Sequence, residues 1–372
     1  MEKLFDEKER TTQRYSSNLE NAYKFYDQTA KPEFIEVREM LNEWFLRYPD
    51  SAKYSLKRDF QSQFDAAFFE LFIHELFFQQ GFVLTPHPVV PNSSKNPDFL
   101  AKKGKVEMYL EAKVATDKSN EERTLENRQG AIYDELQKLE SPDYWIDIKE
   151  IIFTSNKQAK LSKIKVVIQK WLDESHAKSE ITYNDCDDFG EEFYTYKDDD
   201  IKISLTLFPS SIEKDHPIAS YLGSSYTGGC EQALSNAIRE KSAKYGNLDR
   251  PYIVCINLTG DRHPYQDEIY NTLFGLRRLL GENYMGESAS QSPEMDGVLM
   301  NSMGPTFRQV SAFFITRVFA SNLHVANHWL IEHPNAKLRL SFDHLDLTSN
   351  RLSPTEIKTV SKKSIKQVLF PG

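Results

Sequence analysis

The sequence predicts an α/β (α+β) protein in which helices flank a mixed β-sheet. Helical and extended patterns alternate along the 372 residues, and 40% of these residues are hydrophobic. That length and composition suit one large domain or two ordinary ones. We find no internal repeat. An N-terminal helical segment and a large α/β insertion complete the predicted architecture.

The chain opens with helical patterns. Residues 1-59 form the predicted N-terminal helical segment, in which apolar residues recur at helical spacing from Leu41 to Tyr48. The run FDAAFFELFIHELFFQQ, residues 64–80, then carries apolar residues on nearly every side. This predicts a buried helix that ends at Gly81.

Two strands joined by a tight turn follow the buried helix. Residues 98–101 and 105–115 are the predicted strands, with the turn at Lys103-Gly104. Glu111 and Lys113 lie two positions apart on the second strand. Since side chains alternate between faces, both point the same way, about 7 Å apart at roughly 3.4 Å per residue.

The predicted two-residue turn also sets the pairing of these strands. It places Asp98 opposite Tyr109, and therefore on the same face as Glu111, along the diagonal. The same register pairs Phe99 with Met108 on the core face. A slip of one residue would move Asp98 to the wrong side of the sheet.

These side chains suit metal-dependent hydrolysis of a phosphodiester. A hard cation near the phosphate withdraws charge and lowers the pKa of an attacking water, and Mg²⁺ prefers carboxylate and water oxygens. Asp98 and Glu111 supply two carboxylates that can hold the metal ion. Lys113 supplies an ammonium group that can stabilise the charge that develops on the phosphate. Glu70 and Glu75 point almost opposite ways on the buried helix. We expect one of them to face the site and the other to pair with a surface cation.

Together, FELFIHELFFQQGF, NPDF and YLEAKVA resemble the PD-(D/E)XK superfamily of nucleases, which has the restriction-endonuclease-like fold. That family shows a helix with a Glu, a Pro-Asp that opens a strand, and a Glu-x-Lys on the next strand. The resemblance implies that Asp98 and Glu111 bind Mg²⁺, with Mn²⁺ as a possible substitute. It also implies that Lys113 assists the attacking water, and that Glu70 is an outer acid binding a second ion or an ordered water. These four residues are the expected catalytic set.

The resemblance is specific over residues 60–115, about a sixth of the chain. In that family a helix and another strand usually follow, and residues 230–258 resemble this continuation. Lys241, Lys244 and Tyr245 would then flank the site as phosphate-binding or orienting groups. The alternative for the two lysines, taken together with Arg239, is a solvated helix face.

The later elements complete the predicted domains. Helices are predicted at 121–140, 162–175 and 230–245, and strands at 144–155, 200–208, 252–258, 310–320 and 338–342. On this basis residues 60-345 form the nuclease-like domain, with the insertion at about 116-225. Residues 346-372 are predicted to be a basic C-terminal tail.

Composition limits the possible functions. A net charge of -9 argues mildly against an avid, free-standing DNA binder, although a basic cleft can lie on an acidic body. Cys186, Cys230 and Cys255 show neither a disulfide framework nor zinc spacing, which favours a reducing, cytoplasmic location. The charged start MEKLFDEKER lacks the apolar core of a signal peptide, and no uncharged run is long enough to span a membrane.

The expected function is that of a Mg²⁺-dependent DNA endonuclease in restriction or antiviral defence, the setting being implied by the resemblance alone. One alternative is a catalytically inactive nuclease-fold module that binds nucleic acid or a partner protein, and another is an RNA nuclease. A homodimer or a defence-system partner protein is compatible with each of them. The absence of a Gly-x-x-x-x-Gly-Lys-Ser/Thr motif argues against ATPase activity. His324, His328 and His333 favour ordinary packing over a metal site.

Overall fold

A large mixed β-sheet flanked by helices organises the chain in the computed structural model, which confirms the predicted α/β class. The structure describes residues 2–91, 93–178, 194–210, 212, 214, 216–220, 222, 230–260, 262–275, 297–301, 303–352 and 357–371. Two compact units divide them. The first takes the described residues within 1–11, 26–117 and 226–372, and the second takes those within 12–25 and 118–225.

The helices are α1 (Ala22–Gln28), α2 (Pro32–Arg47), α3 (Asp50–Ser62), α4 (Phe64–Phe78), α5 (Asn120–Leu136), α6 (Leu161–Lys178), α7 (Cys230–Ser242), α8 (Gln266–Phe274) and α9 (Ile365–Leu369). The strands are β1 (Val83–Pro86), β2 (Phe99–Lys103), β3 (Val106–Ala115), β4 (Tyr144–Phe153), β5 (Tyr194–Lys197), β6 (Ile201–Pro209), β7 (Ile218–Ser220), β8 (Tyr252–Leu258), β9 (Met300–Asn301), β10 (Gly304–Pro305), β11 (Ala312–Thr316), β12 (His328–Glu332), β13 (Ser349–Leu352) and β14 (Ile357–Val360). No helix among the described residues has the length and apolar character needed to cross a membrane.

The eight-stranded sheet of the first unit runs in the order β1-β2-β3-β8-β11-β12-β13-β14. Strands β1, β2 and β3 are antiparallel neighbours, whereas β8 lies parallel to both β3 and β11. A connection between parallel neighbours must cross over the sheet, and α7 supplies part of the connection from β3 to β8. Strands β9 and β10 form a separate hairpin.

Helices cover both faces of this sheet. Phe313 of β11 packs in an apolar cluster with Leu234 of α7 and Ile269 of α8. The next residue, Phe314, stacks on Phe72 of α4 with ring centroids 6.5 Å apart. Because successive strand residues point to opposite faces, α4 lies on one side of the sheet and α7 and α8 lie on the other.

Helix α4 is buried on nearly all sides, as predicted, and Gly81 follows it with φ +82. Glu75 is the fully buried acid of this helix. Its carboxylate accepts from Nη2 and Nε of Arg47 at 2.7 and 3.1 Å, and from Nε2 of Gln79 at 2.6 Å. Of Glu70 and Glu75, Glu75 is therefore the acid that pairs with a surface cation. That cation is Arg47, whose side chain is 32% exposed.

Arg47→Met is expected to destabilise the protein by about 3 kcal/mol, because it leaves the buried Glu75 carboxylate without a balancing charge. Urea denaturation measures this effect. The matched control is Arg58→Met, whose guanidinium pairs with Asp59 on the surface and is expected to contribute about 1 kcal/mol or less. Equal losses in the two variants would show that Arg47 does not balance a buried charge.

The basic C-terminal tail predicted at 346-372 is wrong. Strand β13 lies parallel to β12, and β14 pairs antiparallel with β13, so both strands belong to the large sheet. Helix α9 buries Ile365, Val368 and Leu369. The lysines gave this segment a basic character, but apolar side chains between them attach it to the core.

The late strand predicted at 338–342 is also wrong, since Leu340 and Phe342 bury their side chains outside the sheet. The strand that pairs antiparallel with β11 is β12, from His328 to Glu332. The strand predicted at 252–258 coincides with β8.

The second unit contains the sheet β5-β6-β4-β7 and the helices α5 and α6. Alternate apolar residues of β4 and β6 pack in a cluster with Ile132 of α5 and Ile164 of α6. A capping box formed by Ser119 and Glu122 begins α5, since each side chain accepts from the backbone N–H of the other residue.

The two units divide the chain differently from the predicted domains. The predicted insertion at about 116-225 overlaps the second unit, which also takes residues 12–25. Residues 1-59 therefore do not form a segment of their own, because 2–11 and 26–59 belong to the unit with the large sheet. Cys186 lies outside the described residues, and Cys230 and Cys255 are free and buried.

Candidate active site

Asp98 stands directly before β2, and the pairing of β2 with β3 places it opposite Glu111. The observed register pairs Phe99 with Leu110 at one end and Lys103 with Val106 at the other. The backbone N–H of Ala112 also donates to Oδ2 of Asp98, with N and O 2.6 Å apart. The two acids therefore lie on adjacent strands at one level of the sheet.

The predicted register, with Asp98 opposite Tyr109 and Phe99 opposite Met108, is wrong by two residues. The turn consists of Gly104 and the residue after it, and Gly104 has φ +60. A two-residue hairpin turn with glycine at its first central position is a favoured type, which explains the observed placement. A shift of two residues preserves the face of every side chain, so the predicted shared face does not depend on this error.

Glu111 is fully buried and is surrounded by hydrogen-bond donors. Its Oε1 accepts from Nζ of Lys241 at 2.6 Å and from Nζ of Lys244 at 2.7 Å. The hydroxyl of Tyr245 donates to the other oxygen, Oε2. All three residues thus contact the site, and a solvated helix face does not describe the lysines, whose side chains are only 13% and 26% exposed.

Helix α7 brings these donors to Glu111. Lys241 lies in its last turn, and Lys244 and Tyr245 follow at the spacing that places side chains on one side of a helical turn. Gly246, with φ +70, ends this turn. Glu240, the residue just before Lys241, contacts Lys113. We refer to Glu240, Lys241, Lys244 and Tyr245 as the α7 cluster.

Lys113 shares its face of β3 with Glu111 and points toward the α7 cluster. Its Nζ lies 2.7 Å from Oε2 of Glu240. This hydrogen bond and the charge of Lys113 lower the pKa of Glu240. The Lys113 side chain is 29% exposed and that of Glu240 is 55% exposed. Because this ion pair faces water, the ammonium is accessible to a ligand.

Glu70 is the acid of α4 that interacts electrostatically with Asp98 and Glu111. The hydroxyl of Tyr48 donates to its Oε1 at 2.5 Å. Burial raises the pKa of Glu70, the Tyr48 hydrogen bond opposes this rise, and the charges of Asp59 and Glu111 add to it. Glu70 and Glu75 thus have the separate environments expected for this helix.

The carboxyl group of Asp98 has a strongly raised pKa. Burial, and then the charges of Glu111 and Glu70, raise its pKa to about 7. The hydrogen bond from Ala112 and the charge of Lys241 only partly oppose this rise. Glu111 and Glu70 thus disfavour the charged form of Asp98, and such an environment stabilises a cation.

The oxygen donors of this site fit a hard cation. Mg²⁺ usually keeps several waters and is held by one or two protein carboxylates. Asp98 and Glu111 supply two such carboxylates. Among the described residues, no group of three or more His, Cys, Asp or Glu side chains is arranged to hold a metal ion. Asp98 and Glu111 fit an ion that is held by two protein carboxylates and by waters.

Two of the three C-terminal histidines, His328 and His333, pack in the fold as predicted, whereas His324 is exposed. Nε2 of His328 lies 3.1 Å from the carbonyl oxygen of Thr348, and Nε2 of His333 lies 2.8 Å from that of Thr306. His324 stacks on the ring of Phe370.

Two residues of the site do not stand out in the sequence. Tyr48 has the spacing of a core residue in a helical pattern, and Glu240 belongs to a charged helix surface. Their roles depend on contacts with Glu70 and Lys113, which are remote in sequence. No local pattern identifies such contacts.

The raised pKa of Asp98 predicts that Asp98→Asn melts at a higher temperature than the wild type at pH 8, in the presence of a chelator. The folded protein holds this proton more tightly than the unfolded chain. The resulting stability is present at low pH and is lost as the pH rises from about 4 to about 7. The advantage of the variant is therefore expected to disappear near pH 4.

Glu107→Gln is the matched control for this pH effect. Hydrogen bonds from Lys102 and Arg250 lower the pKa of Glu107 to about 2. Glu107 therefore stabilises the fold at neutral pH, and its substitution is expected to lower the melting temperature. A pH-independent difference between wild type and Asp98→Asn would contradict the assignment of the raised pKa to Asp98.

Comparisons with protein-family models, with curated proteins and with solved structures find no match to this chain. The chemistry of this protein is therefore inferred from the side chains of the site.

Proposed function

We propose that this protein is a Mg²⁺-dependent nuclease that hydrolyses phosphodiester bonds of nucleic acid, with DNA as the first candidate substrate. The observation that carries the proposal is the placement of Asp98 opposite Glu111, with Lys113 two residues further along the same face. Two carboxylates and one ammonium group on a shared face are what hydrolysis of a phosphodiester needs.

The order of elements supports a restriction-endonuclease-like fold. Helix α4 carries Glu70, β2 begins after Pro97-Asp98, and β3 carries Glu111 and Lys113. Helix α7 and β8 then follow, with β8 parallel to β3. This is the order of helix, Pro-Asp strand, Glu-x-Lys strand, helix and strand on which the resemblance to the PD-(D/E)XK superfamily rests.

Each residue has a distinct proposed role. Asp98 and Glu111 would hold Mg²⁺, or Mn²⁺ in its place, and the bound ion would withdraw charge from the phosphate and acidify a water. Lys113, which reaches solvent, orients the attacking water or stabilises charge on the phosphate. Glu70 would hold an ordered water or a second ion, and the Tyr48 hydrogen bond limits the positions of its carboxylate.

A cleavage assay on the full chain tests the proposal. Single-stranded DNA, double-stranded DNA and RNA are each incubated with Mg²⁺, with Mn²⁺ or with EDTA. We expect cleavage of at least one substrate that requires the cation and is lost in Lys113→Ala. Absence of cleavage from all three substrates, by a folded protein that binds Mg²⁺, would contradict nuclease function.

The alternative is a nuclease-fold module that binds nucleic acid or a partner protein without cleaving. Two lysines already bind the Glu111 carboxylate and balance its charge, and this arrangement favours the alternative. Such a module would show binding without cleavage in the same assay. On the superfamily resemblance alone, we also propose a role in restriction or antiviral defence, with which a homodimer or a defence-system partner protein is compatible.

A further inference from the structure

Lys241 and Lys244 bind the same oxygen of the carboxylate that we propose as a metal ligand. Both ammonium groups lie within hydrogen-bond distance of Oε1 of Glu111, at 2.6 and 2.7 Å. A divalent cation on this oxygen would stand beside two positive charges in a buried environment, where charges are poorly screened. The two lysines and the cation therefore compete for Glu111.

The lysines have another anion to bind once they leave Glu111. A lysine ammonium is a compact charge on a flexible stem and is a common ligand of phosphate. Both side chains are partly exposed, and they lie one turn apart at the end of α7. Tyr245 binds the other carboxylate oxygen, Oε2, and so can keep Glu111 in place while Oε1 changes its partner.

We propose that Lys241 and Lys244 exchange Glu111 for backbone phosphates of nucleic acid when a divalent cation binds, so that the cation and the nucleic acid favour each other's binding. This inference rests on the proposed function. The cation displaces the lysines from Oε1, and the phosphates then receive them. Since coupling between two ligands is reciprocal, each ligand increases the affinity for the other by the same factor.

Single substitutions of the two lysines are expected to have opposite effects on the two affinities. In Lys241→Met or Lys244→Met, Glu111 keeps one lysine and Tyr245, so the buried carboxylate remains paired. Calorimetry without nucleic acid is expected to show Mg²⁺ affinity raised about fivefold or more. Fluorescence anisotropy of a labelled oligonucleotide in saturating Mg²⁺, with Lys113→Ala added so that the oligonucleotide remains uncut, is expected to show binding weakened by a similar factor.

Arg239→Met is the matched control on the same helix. It removes the same charge, but Nε of Arg239 donates to Ser235 and not to Glu111. Its Mg²⁺ affinity is expected to equal that of the wild type. If neither lysine variant binds Mg²⁺ more tightly than Arg239→Met does, the competition for Glu111 is refuted.

A second measurement tests the coupling between the cation and the nucleic acid directly. Mg²⁺ affinity is measured with and without an oligonucleotide in Lys113→Ala, so that the nucleic acid remains uncut. We expect binding about fivefold tighter with the oligonucleotide, and a smaller gain when Lys241→Met is added. An equal gain with and without Lys241→Met would overturn the exchange.

Failure of this inference and failure of the proposed function give different results. If the wild type cleaves but the two affinities of the lysine variants do not change in opposite directions, only the exchange is refuted. A wild-type protein that binds both ligands with coupling but does not cleave refutes the nuclease and leaves the exchange supported.

Discussion

Lys113→Ala is expected to lower the rate of cleavage about a hundredfold or more, while nucleic-acid binding and the fold remain largely intact. The Lys113 ammonium shares its face of the sheet with Glu111 and is accessible to a bound phosphate. Its ion pair with the half-exposed Glu240 carboxylate contributes about 1 kcal/mol or less to stability, so the variant is expected to fold. Single-turnover cleavage and anisotropy measure the two effects separately.

Lys105→Ala is the control for this substitution. Lys105 is exposed at the turn just before β3, so its loss changes the net charge equally without reaching the site. Its rate is expected to equal that of the wild type. Cleavage by Lys113→Ala at nearly the wild-type rate would remove Lys113 from the mechanism.

Asp98→Asn and Glu111→Gln are each expected to weaken Mg²⁺ binding about tenfold or more, because each replaces a charged oxygen ligand by a neutral amide. Asp98→Asn is the cleaner test, since it relieves the repulsion among the three acids. Glu111→Gln also leaves Lys241 and Lys244 beside a neutral group, so its stability must be measured as well. Calorimetry gives the affinities.

Glu107→Gln is the control for the metal measurement. Glu107 lies on the same strand and the same face as Glu111, but it pairs with Lys102 and Arg250. Its substitution is expected to leave Mg²⁺ affinity unchanged. Unchanged affinity in Asp98→Asn and Glu111→Gln as well would contradict their assignment as ligands.

Much of the fold could be predicted because its patterns are local. The apolar run of α4, the apolar strand β8 and the alternation along β3 each depend on residues that are neighbours in sequence. The division between Glu70 and Glu75 follows from helical geometry in the same way. The C-terminal elements could not be predicted. Lysines obscure the apolar residues of α9, and β13 and β14 gain their stability from pairing in the large sheet.

The register of the hairpin shows a different limit. A two-residue turn at Lys103-Gly104 and one beginning at Gly104 both keep Asp98 on the face of Glu111. Apolar alternation cannot distinguish two registers that differ by two residues. The observed one depends on the positive φ of Gly104 at the first central position of the turn.

The sequence by itself determined that Glu111 and Lys113 share a face, because alternation along a strand requires nothing beyond the strand. Only the tertiary structure decided which groups meet them there. Lys241 contacts Glu111 across 130 positions of sequence, and Tyr48 contacts Glu70 across 22. Such contacts depend on how α7 packs beside β8 and how α2 packs beside α4, and packing between distant segments leaves no periodic pattern in either one.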